Sequence, residues 1–174
     1  MTLRLNKTYN LYVKNSKSLE KISQDMTMLN IDFEGDIISF DDRPAHMRFE
    51  FGACPPLDIS FDSVTGLLKE ITVFIEDDKI SRNVRWKQEE FNTENGYPCF
   101  DINMLEKHQY YYEETCELEI ILYESILVIC KLNQIPYKQI FINEEVYIYL
   151  NSQNQFIGVQ VNNLSSEDLK LLIF

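Results

Sequence analysis

His46 is the first residue whose chemistry raises the question of catalysis. It could act as the base that activates a thiolate if the fold placed it beside Cys54 or Cys99, because a cysteine nucleophile needs a neighbouring group that favours its ionised form. Separation along the chain gives no sign of such a contact, and a histidine two residues after Pro44 is typical of a turn. The sequence therefore predicts no nucleophilic site here.

His108, Glu113 and Glu114 combine residue types that bind metals. On a helix, however, spacings of five and six residues share a face poorly compared with three or four. Adjacent carboxylates point apart in regular structure, so they cannot share a proton as an acid–base pair does. The five glycines form no phosphate-binding cluster, and no serine-hydrolase or zinc-protease motif is present. We expect no catalytic residue, metal or cofactor.

The four cysteines are Cys54, Cys99, Cys116 and Cys130. Their spacing is too wide for a zinc-binding or redox pair of the C-x-x-C type. No export signal is apparent at the start of the sequence, so we expect a cytoplasmic protein with four free thiols.

Tyrosines and glutamates are concentrated between Glu106 and Glu124. Tyrosine offers a large contact area at small entropic cost, and carboxylates form paired hydrogen bonds with arginine. This composition is typical of a surface that binds a basic protein. Alternatively, the tyrosines fill the core and the glutamates only solvate a helix. The predicted partner-binding residues are Tyr111, Glu113, Glu114, Glu117 and Glu124.

The charge of the chain points to the same class of partner. The net charge is −12, from 16 Lys and Arg against 28 Asp and Glu. The acidic excess grows along the chain and is largest after residue 100. Such a field repels phosphate groups, so we expect neither nucleic acid nor a membrane as partner, whereas a basic protein would be attracted. The alternative is that the acidity only keeps the protein soluble.

The elements that must position these residues follow from the hydrophobic periodicity. Leu19, Ile22, Met26 and Leu29 recur at three and four residues after Ser18, which predicts a helix. Alternating patterns predict hairpins over residues 31–40, 59–75 and 148–161, and a strand over residues 47–51. A capping pattern at residues 165–168 predicts a short C-terminal helix.

The stretch from residue 113 to 132 fits two structures. As a strand, it places Leu118, Ile120 and Leu122 on one face; as a helix, it turns Glu113, Glu117 and Glu124 outward. We favour the helix, because twenty residues without Gly, Pro, Asn or Asp exceed the usual strand. Its β-branched residues keep the strand open as an alternative. The expected fold is α+β in a single domain, residues 1–174: an antiparallel sheet built from hairpins, with two to three helices largely on one face.

The chain resembles the bacterial immunity proteins of contact-dependent and other polymorphic toxin systems. The resemblance rests on length, acidity, the lack of a catalytic motif and hairpins such as residues 58–62 leading through 65–69 to Ile71 and Val73. It implies a protein that binds a basic, nuclease-type toxin domain and occludes its active site, and it assigns no functional residue. The alternatives are a small enzyme with a non-standard active site and a structural or adaptor subunit.

Overall fold

Strands make up most of the regular structure in the part of the chain that the computed structural model describes, which is residues 2–34, 43–50, 56–82, 84, 91–103, 105–106 and 108–172. The strands in chain order are β1 (Leu5–Tyr9), β2 (Lys14–Ser23), β3 (Met26–Glu34), β4 (Ala45–Glu50), β5 (Leu57–Phe61), β6 (Leu68–Glu76), β7 (Ile80–Ser81), β8 (Asn92–Asn95), β9 (Tyr97–Phe100), β10 (Tyr111–Thr115), β11 (Leu118–Tyr123), β12 (Ile126–Lys131), β13 (Lys138–Phe141), β14 (Val146–Leu150) and β15 (Phe156–Val161). One α-helix, α1 (Ser166–Leu172), follows, and a single 3-10 turn spans Asp77–Lys79.

Two large sheets and one small one contain these strands. The six-stranded sheet has the order β10-β4-β5-β6-β3-β2, and the seven-stranded sheet has the order β7-β11-β12-β15-β14-β13-β8. Neighbouring strands are antiparallel except at three edges, where β10 pairs with β4, β7 with β11 and β8 with β13 in parallel. Strands β1 and β9 form a two-stranded ribbon.

The main core lies between the inner faces of the two large sheets. One continuous cluster of buried apolar side chains takes residues from both sheets, as expected when alternate residues of each strand point inward. Phe49 of β4 stacks on Phe156 of β15, with ring centroids 5.1 Å apart. The ribbon adds Phe100 against Phe61 and Tyr97 against Phe33. The architecture is therefore a β-sandwich.

The expected α+β fold with two to three helices is wrong, and the first error is the helix after Ser18. These residues form the β2–β3 hairpin, in which Leu19 pairs with Leu29. Ile22, which the helix would have buried, is 50% exposed. The strand period was hidden because the inner side of β2 carries Lys17 and Lys21 as well as Leu19, so polar and apolar residues do not alternate there.

The helix favoured for residues 113–132 is also wrong. This stretch contains most of β10, all of β11 and β12, and a turn in which Glu124 has a φ of 53°. The turn contains neither glycine nor asparagine, so the usual signal for a hairpin was missing. Ile120 enters the main core while Ile121 is buried on the opposite face, so alternation was lost as well.

Several predicted elements are confirmed. The hairpins over residues 59–75 and 148–161 are β5–β6 and β14–β15. The strand predicted over residues 47–51 is part of β4 as far as Glu50, the last described residue of that segment. The hairpin predicted over residues 31–40 lies outside the described residues after Glu34. Helix α1 begins with a reciprocal capping pair: Asp168 N donates to Ser165 Oγ at 3.1 Å, and Ser165 N donates to Asp168 Oδ2 at 2.8 Å.

The only α-helix in the described part is α1, which is too short to cross a membrane.

A second apolar cluster lies on the outer face of the seven-stranded sheet. It contains Ile121, Val128, Cys130, Tyr149 and Ile157, all buried. Burial raises the pKa of the Cys130 thiol from 9.0 to about 12, and the nearby carboxylate of Glu119 adds to this effect. The folded protein therefore holds this thiol neutral at a pH where the unfolded chain ionises it.

We predict that Cys130 makes the free energy of unfolding fall as the pH rises. The contribution of Cys130 to the free energy of unfolding is complete below about pH 9 and is lost progressively between about pH 9 and pH 12, because the unfolded state releases the proton at lower pH than the folded state. In urea denaturation from pH 8 to 11, Cys130→Ala should lose stability less steeply than the wild type, by up to about 1.4 kcal/mol per pH unit. Parallel curves for the two proteins would contradict the prediction. The thiols of Cys99 and Cys116 also have raised pKa values. Both proteins contain them, so their effect cancels in the comparison.

Candidate functional site

The outer face of the six-stranded sheet combines polar residues with exposed apolar ones. Strand β6 buries Ile71, Val73 and Ile75, so its alternation turns Glu70, Thr72 and Phe74 outward. Strand β3 turns Met26 outward in the same way. Phe74 and Met26 are thus partly exposed apolar residues on this face, together with Met28, which lies opposite Phe74.

Three depressions open at this face, and Met26 lines all of them. One of them also takes Leu118 and Ile120 from β11 of the seven-stranded sheet. The first, about 420 Å³, lies over the middle of the sheet; the second, about 330 Å³, shares Met26 and Phe74 with it. The third, about 410 Å³, continues from Met26 and Glu76 to the 3-10 turn. We call these three depressions together the outer-face groove.

Asp58 organises the first depression. His46 Nδ1 lies 2.9 Å from Asp58 Oδ1, and Arg48 Nε donates to Asp58 Oδ2 at 3.1 Å. Strand pairing sets this geometry, because Arg48 lies directly opposite Asp58 and His46 lies opposite Ser60. One carboxylate therefore fixes the side chains of His46 and Arg48 on the same side of the groove.

Tyr111 forms the rim of the groove at this end. Its ring stacks on His46, with centroids 4.9 Å apart and an interplanar angle of 17°, and the Arg48 guanidinium lies 4.5 Å from the ring centroid. The side chain remains 53% exposed. A large, orientationally fixed and exposed aromatic ring is a common anchor in protein interfaces.

Carboxylates outnumber cations in the groove. The described lining residues include seven carboxylates against Arg48 and Lys79. Asp58 is paired with Arg48, and Asp77 is paired with Lys21 at 2.8 Å. The other five of these seven carboxylates carry no ion pair with a described residue: Asp25, Glu70, Glu76, Asp78 and Glu117.

Three of the five predicted partner-binding residues lie at this groove. Tyr111 forms its rim and Glu117 lines its second depression. Glu113 is exposed beside the groove, opposite Arg48 in the pairing of β10 with β4.

Glu114 and Glu124 do not share a surface with these three. Glu114 points inward, where its Oε1 lies 2.5 Å from Nζ of the buried Lys131. Its Oε2 atom is also buried and has no hydrogen-bond partner among the described residues. Glu124 lies at the tip of the β11–β12 hairpin in the other sheet. The helical face predicted for Glu113, Glu117 and Glu124 therefore does not exist.

Four residues of the groove were not among the predicted partner-binding residues: Met26, Arg48, Asp58 and Phe74. A signal for Phe74 was present, because it interrupts the alternation of β6 with an apolar residue between Thr72 and Glu76. No comparable signal marked Asp58, whose role depends on pairing between β4 and β5.

The residues that raised the question of catalysis are separated. His46 lies in β4 and bonds Asp58, whereas Cys99 lies in β9 and its Sγ donates to Thr65 O at 3.0 Å. Burial raises the pKa of the Cys99 thiol, which opposes the ionisation that a nucleophile needs. Cys54 lies outside the described residues; Cys99, Cys116 and Cys130 are free thiols. Among the described residues, no group of three or more His, Cys, Asp or Glu could hold a metal ion.

Comparison with known proteins adds no family assignment. No protein-family model matches the chain, and no curated protein sequence matches it.

We predict that Glu114 acts in folding and not in partner binding. Glu114→Gln should lower the free energy of unfolding by about 3 kcal/mol, because it leaves the ammonium of Lys131 buried without its counter-charge. The double variant Glu114→Gln/Lys131→Met should recover part of this loss, since no buried charge remains. Urea denaturation measures both. The matched control is Glu113→Gln, the exposed neighbour, which should change stability by less than about 0.5 kcal/mol; an equally mild Glu114→Gln would show the prediction to be wrong.

Proposed function

We propose that the protein is a binding module for a basic partner protein, which it holds along the outer-face groove. The observation that carries the proposal is the groove itself, where the apolar side chains of Met26 and Phe74 lie among carboxylates without ion pairs. A partner's lysines and arginines would neutralise those carboxylates while its apolar side chains covered the floor.

Tyr111 supports the same function. An aromatic ring that is already fixed by His46 and Arg48 loses little conformational freedom when a partner covers it. The net charge of −12 would accelerate encounter with a basic protein, and the contact of the apolar groove floor would slow dissociation.

Within this class, we propose an immunity protein that binds a basic, nuclease-type toxin domain and occludes its active site. The support is the resemblance in length, acidity and hairpin pattern, together with a groove whose charge is opposite to that of a phosphate-binding surface. We propose that the protein acts in the cytoplasm, where the free thiols of Cys99, Cys116 and Cys130 are stable.

Charge reversal in the groove tests this function. Glu76→Lys/Glu117→Lys should weaken binding of the toxin domain encoded beside the gene by more than tenfold, or about 1.4 kcal/mol, because both carboxylates line the groove. Isothermal titration calorimetry on the co-expressed pair measures the change. The loss should shrink at high salt, where long-range attraction is screened.

The matched control changes the same number of charges elsewhere. Glu124→Lys/Glu144→Lys places two lysines at exposed turns of the seven-stranded sheet, so it should lose only the long-range part of the attraction. Equal losses for the two double variants would exclude the groove as the binding surface. A neighbouring gene product that forms no complex with the wild-type protein would contradict the immunity function.

A further inference from the structure

Strand β10 is an edge of the six-stranded sheet, and half of its backbone groups point away from that sheet. Its parallel pairing with β4 includes hydrogen bonds from His46 N to Tyr110 O and from Cys116 N to Glu50 O. In a parallel ladder these bonds direct the backbone groups of Tyr112 and Glu114 towards β4. The N–H and C=O groups of Tyr111, Glu113 and Thr115 consequently point away from the sheet.

The outer side of β10 has no paired strand in the part of the chain that the structure describes. The side chains of Tyr111, Glu113 and Thr115 are all exposed. One of the outward carbonyl groups, Tyr111 O, accepts a hydrogen bond from the side chain of Gln109 at 3.1 Å. That bond is between exposed residues, so an incoming backbone N–H can replace it.

Side-chain contacts on the inner face of β10 hold the strand in place. The Tyr112 hydroxyl accepts a hydrogen bond from Glu106 N at 2.7 Å and donates one to Gln109 O at 3.0 Å. Glu114, on the same inner side, is bonded to Lys131. A strand fixed in this way loses little conformational entropy when another strand pairs with it.

The other edges of the two large sheets carry features that oppose pairing. Strand β2 turns Lys17 and Lys21 inward, and β7 has only two residues. Strand β8 has only four residues. Inward-pointing lysines and short edge strands are devices that prevent strand addition. Strand β10 also turns one charged residue, Glu114, inward, where it is paired with Lys131, but the strand has five residues and contains no lysine, arginine or proline.

Charge determines which occupant fits. A second copy of this chain, paired antiparallel about the centre of β10, would place Glu113 opposite its own equivalent, and like charges directly opposite are destabilising. Glu113 and the nearby Glu117 are exposed carboxylates, so the edge is complementary to lysine and arginine.

We propose that β10 binds an extended, basic segment of the partner protein, which adds to the six-stranded sheet as a further strand beside Tyr111–Thr115. The inference rests on the proposed function, because the segment belongs to the partner held in the groove. The outward backbone groups of Glu113 and Thr115 pair with the segment. Its basic side chains on the outer face contact Glu113 and the exposed ring of Tyr111.

The experiment removes a single outward backbone donor. Proline at position 113 eliminates an N–H that points away from β4, so the β10–β4 ladder stays intact and the variant should fold. The probe is a short, fluorescein-labelled peptide of alternating lysine and valine, followed by fluorescence anisotropy at low salt. Glu113→Pro should bind this peptide at least tenfold more weakly than Glu113→Gln, which loses the same charge but keeps the N–H.

A second measurement does not depend on the variant folding. The same peptide with its backbone nitrogens methylated keeps its charge but has no N–H groups, so wild-type protein should bind it at least tenfold more weakly than the unmodified peptide. Unchanged affinity for the methylated peptide, equal binding by Glu113→Pro and Glu113→Gln, or no binding of the unmodified peptide would refute strand addition. If Glu76→Lys/Glu117→Lys still weakened the toxin-domain complex, the proposed function would stand without it.

Discussion

The contact between the two large sheets at Phe49 is the constraint on which the rest of the structure depends. The ring stacks on Phe156 of the opposite sheet, and Nζ of Lys131 lies 4.6 Å from its centroid. Lys131 in turn bonds Glu114 at the point where the chain passes from one sheet to the other. Because the interior is close-packed, these contacts fix the position of β10 relative to β4. The exposed residues Tyr111 and Glu113 take their places as a consequence.

The outer face of the six-stranded sheet is less favourable for an isolated protein than a uniformly polar face would be. Met26 and Phe74 remain half-exposed, and the carboxylates around them repel one another. Ion pairs relieve this repulsion at Asp58, through Arg48, and at Asp77, through Lys21. A basic partner would cover the apolar residues and compensate the remaining negative charge. Both unfavourable features of the free protein would thereby be relieved in the complex, which favours binding.

The hairpins and the C-terminal helix were predictable because their signals are local. In β5–β6, alternation flanks a turn at which Gly66 has a φ of 78°, and in α1 the capping pair lies within four residues. The two predicted helices failed where local signals were absent. Strand β2 carries lysines on its inner side, and β11 and β12 are buried on both faces. The alternation of polar and apolar residues is therefore missing from these strands, because the surroundings of each face decide which residue types it carries.

The sequence by itself determined the acidity, the spacing of the cysteines and the presence of a tyrosine–glutamate segment, because these depend only on composition and order. It also indicated Tyr111, Glu113 and Glu117, which lie at the groove. Only the tertiary structure decided that Glu114 is an internal ion pair and that Glu124 belongs to the other sheet. It alone brought Met26, Asp58 and Phe74 together, because pairing between strands distant in sequence sets which side chains share a face.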